Sequence, residues 1–149
     1  MLRVAIACPQ ETVPIDRATM REVVQKVLEK EGVTDAQMSL AFVDNETIRQ
    51  LNNRYLKHDE PTDVLSFPLS DGGATPLQGE LVIGAEVGQE QAAARGHDVQ
   101  AELALYVIHG VLHLVGYSDS QPNEREKMRE RERYHLSALG LPNISPVEE

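Results

Sequence analysis

Between Val99 and Val115 almost every position is apolar: Leu103, Leu105, Val107, Ile108, Val111, Leu112, Leu114 and Val115 leave little wet face on a helix of that length. A surface helix needs a polar stripe, so this one belongs at the centre of the molecule with other elements packed round it. The chain has 149 residues, and length divided by about 150 gives a single domain, expected over 1–149. At this size roughly two thirds of the unfolded surface is buried, and no disulfides are needed. With 41% hydrophobic and 26% charged residues, disorder, collagen and coiled-coil readings are excluded.

The elements around the central helix follow from period and punctuation. Leu2 to Ala7 reads as a strand ending before Pro9. From Asp16, a capping residue, Met20, Val23, Val24, Val27 and Leu28 fall on one helical face, ended by Gly32. Met38 to Val43 reads as a second strand, followed by a helix capped at Asp44 or Asn45 that carries Ile48 and Leu51 to about Tyr55. Asp59 to Asp63 is a turn, Val64 to Phe67 a third strand stopped by Pro68, and Glu80 to Ile83 a fourth. Helices follow over Glu86 to Arg95, over Val99 to Val115 and from about Asn123 to Leu139, with Gly96, Gly116 and Gly140 as stops. Strands come early and helices late, which predicts an α+β fold, a small mixed four-stranded sheet covered by about five helices.

A net charge of −10 argues against gripping nucleic acid through bulk charge, and no DNA is expected as a partner. Cys8 is the one cysteine, which favours a reducing compartment. The apolar stretch at the N-terminus is too short for a signal peptide, and nowhere do about 18 apolar residues run together. The chain reads as cytoplasmic and complete, with no membrane contact. The sequence carries no signature of an oligomeric state.

Into the apolar helix the sequence places His109 and His113. Residues four apart differ by roughly 40° about the axis, so both rings leave one face. A lone histidine there would be a satisfied core residue, whereas a pair at this spacing gives a metal two ligands from one rigid element. Gly116 can end the helix in a left-handed conformation and turn the chain back, bringing Asp119 within reach. Asp119 is then either a turn residue beside Ser118 and Ser120 or a third ligand, in a set that leaves a fourth position open. His97 and His135 are the next candidates should Asp119 be only a turn residue.

The string from His109 to Asp119 has the outline of an extended zinc metallopeptidase signature without its base: the residue after the first histidine is Gly110. That makes the peptidase reading the weaker one. His109-Gly110, Leu112-His113-Leu114 and Gly116-Tyr117 instead resemble the signature of the YbeY family, bacterial metal-dependent endoribonucleases of rRNA maturation. Leu51-Asn52, Tyr55, Asp59, Pro61 to Pro68, Gly79 to Ile83 and Glu102 to Ala104 match the same family in order and spacing.

The resemblance implies one zinc ion, or another divalent metal, per chain, single-strand-specific cleavage of RNA, and action on rRNA in the small ribosomal subunit and its quality control. Two positions depart from it. Asp119 stands where the family usually has a third histidine, and Leu56 where it commonly has an arginine. Arg54, Lys57 and His58 cluster just before the turn and are the candidate RNA contacts, with a solvated loop as the other reading. Leu56 also feeds an alternative, a ribosome-assembly factor whose metal is structural and whose RNA is bound uncut.

Asp63 and Ser66 receive no catalytic role. The arginines and glutamates of the last helix, Glu132 among them, read as a salt-bridged solvent face. Phe67 reads as a core residue and the tyrosines as scattered, so no aromatic platform is expected.

Overall fold

The computed structural model describes residues 1–146; the last three residues of the expected domain lie outside them. Nine elements follow one another: β1 (Leu2–Ala7), α1 (Arg17–Lys30), β2 (Ala36–Val43), α2 (Asn45–Leu56), β3 (Val64–Pro68), β4 (Leu77–Gly84), α3 (Ala85–Arg95), α4 (Val99–Leu114) and α5 (Pro122–Ala138). The sheet runs β1-β2-β4-β3, with β1, β2 and β4 parallel and β3 antiparallel to β4 at one edge. This is the expected α+β arrangement with a mixed four-stranded sheet and five helices.

Side-chain alternation decides how the sheet is covered. Met38, Leu40 and Phe42 of β2 and Leu81 and Ile83 of β4 point into the main core, while Gln37 and Ser39, which alternate with the β2 residues, are exposed. The main core also takes Val23, Val24, Val27 and Leu28 of α1, and α4 runs through its middle. From Ala101 to Leu112 every residue of α4 is buried except His109, which is half-buried. The other face of the sheet is covered in part by α2: Ile48 packs with Val43, Leu65 and Val82.

Asp16 caps as expected, Asp44 rather than Asn45 caps α2, and Asp98 is a further cap at the start of α4. Asp16, Asp44 and Asp98 each accept a backbone N–H three residues on, from Thr19, Thr47 and Ala101. β4 begins at Leu77 and not Glu80, because its parallel register with β2 already starts at Ala36. Pro68 belongs to β3 instead of ending before it, which an edge strand tolerates.

Gly110 has a packing reason to lack a side chain. A Cβ there would lie 2.8 Å from Leu81 Cδ2 and 3.2 Å from Val64 Cγ2, so a glycine lets α4 settle onto β3 and β4 without displacing the Leu81 side chain. Ser66 Oγ donates to the Gly110 carbonyl at 3.3 Å and fastens the same crossing.

Candidate metal centre

α4 presents His109 and His113 at its last turns, and the chain then reverses. Val115 caps the helix, Gly116 takes φ +116°, and Tyr117 N–H bonds back to the Leu112 carbonyl at 3.0 Å. The returning loop carries Asp119 over the two imidazoles, and Arg125 of α5 donates to the Asp119 carbonyl at 3.4 Å. The Nε2 atoms of His109 and His113 lie 3.0 Å apart, and Asp119 Oδ2 lies 3.4 Å and 3.3 Å from them. The two rings stand nearly perpendicular, at 80°. Among the described residues these three form the one group of histidines, cysteines or carboxylates close enough to hold an ion together.

The donor set fits a divalent ion. A tetrahedral ion with bonds of about 2.0–2.1 Å to nitrogen would hold its donors roughly 3.3 Å apart, close to the separations observed. Two imidazoles and a carboxylate are also the donor types zinc takes, and all three residues line the cleft.

Behind the site lies Glu132, on α5, with no exposed side-chain surface. Its Oε2 takes a hydrogen bond from His109 Nδ1 at 2.7 Å. A carboxylate only accepts, so Nδ1 carries the proton, and in the neutral ring the Nε2 lone pair faces Asp119 and His113. Arg129 and Ser145 also donate to Glu132, both at 2.8 Å. Burial opposes charge on His109, but the hydrogen bond and charge of Glu132, with Asp63 and Asp119 farther off, outweigh it and hold the imidazole above its ordinary pKa. Burial likewise pushes Glu132 up, and His109 and Arg129 overcome it, keeping the carboxyl below its usual value. These carboxylates leave the site in want of positive charge.

A model of the endoribonuclease YbeY family matches residues 5–140. An endoribonuclease YbeY of Salinibacter ruber is 42% identical over 132 residues, covering 84% of each chain. That of Carboxydothermus hydrogenoformans is 42% identical over 135 residues, covering 89% of this chain and 94% of its own. The chain belongs to the YbeY family. The solution structure of a Thermotoga maritima protein agrees in fold, with a TM-score of 0.63 and 26% identity over 93% of this chain and 89% of that one.

Within the YbeY frame, the three-residue set His109, His113 and Asp119 is brought together as the sequence reading expects. Arg54, Lys57 and His58 are not brought to it. They are exposed at the end of α2, where Lys57 takes a left-handed cap at φ 60°. The cleft of about 380 Å³ beside the histidines is lined by Leu56, and none of those three is among the described residues lining it. His97 and His135 lie elsewhere: His97 bonds to buried Glu102, and His135 to Glu31 at 2.6 Å. Asp63 Oδ1 accepts its neighbour Val64 N–H at 2.7 Å, a turn-capping bond, while the residue also borders the cleft.

Two sequence expectations are corrected here. α5 is no solvent face throughout: Met128, Glu132, His135 and Leu136 are buried. The signal was present, since Glu132 stands four residues from both Met128 and Leu136 and so shares their face. The aromatics are not all scattered either. Tyr55 meets Phe67 edge-on, ring centroids 5.2 Å apart, at the border of the cleft.

Proposed function

We propose that this chain is a metal-dependent endoribonuclease of the YbeY kind, cutting single-stranded RNA in rRNA maturation and small-subunit quality control. The observation that carries it is the convergence of His109 Nε2, His113 Nε2 and Asp119 Oδ2 on one point at the wall of an open cleft. In this reading those three atoms hold one divalent ion per chain, zinc being the ion their chemistry suits. When bound, the ion supplies a Lewis acid that polarises the scissile phosphodiester.

The chain's own groups prepare that site. Glu132 keeps the proton of His109 on Nδ1, so Nε2 is free to ligate; His109 and Arg129 keep Glu132 ionised, and Ser145 helps to hold it in place. Asp119 rides on a loop fastened at both ends, by the Gly116 turn and by Arg125. Gly110 disfavours the peptidase reading: glycine has no carboxylate to act as the base that peptide hydrolysis requires there.

The test is incubation of a labelled RNA containing single-stranded and paired regions with metal-loaded protein, with chelator-treated protein, and with casein as a competing substrate class. The reading requires cuts in the unpaired RNA that chelation abolishes and metal restores. Cleavage that persists after verified metal removal, or casein cut in place of RNA, would contradict it.

A further inference from the structure

The cleft has two walls of opposite character. His109, His113 and Asp119 form one; Leu56 and Phe67 form the other, with the free edge of β3 between them. Leu56 and its neighbour Tyr55 are 55% and 54% exposed, among the largest apolar surfaces the chain shows to solvent. A single exposed apolar residue needs no explanation, but two together at the mouth of a cleft mark a contact surface.

Phe67 does not swing freely. It sits in β3 opposite Glu80 of β4, packs on the small core of Val43, Ile48, Leu65 and Val82, and is met edge-on by Tyr55. Arg54 in turn lies over the Tyr55 ring at 5.4 Å. An aromatic pair of this geometry fixes both ring planes, which makes a preformed platform.

Charge points the same way. Among the described residues lining the cleft there is no lysine or arginine, while Asp63 and Asp119 are both acidic. Apart from a bound cation, the lining itself offers a phosphate no lysine or arginine, so inside the cleft contacts other than phosphate pairing carry more of the affinity for RNA. Stacking of a base on an aromatic side chain contributes roughly 5- to 150-fold in affinity and tolerates any base.

We propose that Leu56 and Phe67, buttressed by Tyr55, form a nucleobase subsite. The base of an unpaired nucleotide beside the scissile phosphate lies against this wall while its phosphate lies at the opposite one. A base within a duplex keeps both faces covered by its neighbours and cannot be presented in this way, so the wall also selects single strands. The assignment rests on the proposed RNA cleavage and adds to it which part of the nucleotide the protein holds.

The experiment measures binding of a short single-stranded RNA to the full chain by fluorescence anisotropy. Each nucleotide in turn is replaced by an abasic one, and the wild type is compared with Phe67→Leu and Leu56→Ser; cleavage of the same RNA is followed in parallel. One abasic position should weaken wild-type binding about tenfold and have no further effect in Phe67→Leu, whose stacking partner is already gone. Leu56→Ser changes an exposed side chain, leaves folding intact and should weaken binding several-fold, so the subsite stays testable should Phe67→Leu unfold. RNA that is bound and cut with no abasic position mattering would overturn the subsite while sparing the cleavage reading. Losses from Phe67→Leu and the abasic position that simply add would also overturn it. A wild type that neither binds nor cuts RNA would overturn both.

Discussion

Glu132 and His109 are joined by a 2.7 Å hydrogen bond between a carboxylate with no exposed surface and the ring nitrogen that faces away from the cleft. The bond fixes which nitrogen of His109 is offered to an ion, and outer partners of this kind are worth about 10- to 100-fold in metal affinity. Glu132→Gln should therefore lower metal affinity by that order while the protein stays folded, as titration against a competing chelator would show. Glu132→Ala should in addition destabilise the fold by about 3 kcal/mol, because Arg129 and His109 lose a buried charged partner. Affinity unchanged in Glu132→Gln would mean that the bond does not orient the ligand.

Asp119 is the site member the sequence leaves most open. If its Oδ2 completes the set, Asp119→Ala should lose most bound metal and most RNA cleavage, whereas Asp119→His should retain metal. Elemental analysis beside activity separates the two effects. An alanine variant with parental metal content and parental rate would reduce Asp119 to a turn residue.

Gly110 tests the crossing of α4 over the sheet. Gly110→Ala brings a methyl group within 2.8 Å of Leu81 and 3.2 Å of Val64, and overpacking of this kind costs about 1–3 kcal/mol. Chemical denaturation should show that loss, and activity should fall with it because the histidines ride on the same helix.

Glu31, at the end of α1, ties α1 to the loop after α4 and to α5 away from the cleft, accepting from Tyr117 Oη at 2.8 Å, from His135 at 2.6 Å and from Arg131. Burial raises its pKa, but Arg131, Tyr117 and His135 together hold the carboxyl below its usual value near 4.5. A carboxyl held low in the folded state contributes stability that is present above its unfolded pKa and lost as pH falls through the folded one. Denaturant midpoints should thus fall with acid below about pH 4.5. Glu31→Gln should be less stable at pH 7 and should flatten this acid limb; a limb of unchanged steepness would remove Glu31 as its source.

Much of this is legible in the sequence, for local reasons. Asp16 and Asp44 cap as their positions suggest, and the all-apolar run around Leu103 to Leu112 could only be central. His109 and His113 were readable because a helix keeps residues four apart on one face, and Asp119 because Gly116 turns the chain back. What escaped depends on how elements meet. Glu132 looks like its neighbours Glu126 and Glu130 until α5 docks and only one glutamate faces His109. The start of β4 at Leu77 is set by pairing with β2, which the residues Gln78 and Gly79 do not announce. Tyr55 and Phe67 stand twelve positions apart in sequence and meet only because α2 lies against β3, while Arg54, Lys57 and His58, adjacent in sequence, end outside the cleft.

The central claim is that His109, His113 and Asp119 hold a divalent ion, and elemental analysis of metal-loaded, desalted protein tests it most directly. The account predicts about one zinc or other divalent ion per chain in the wild type and almost none in folded His113→Ala. A wild type that takes up no metal, or a His113→Ala variant that still holds one ion per chain, would contradict it.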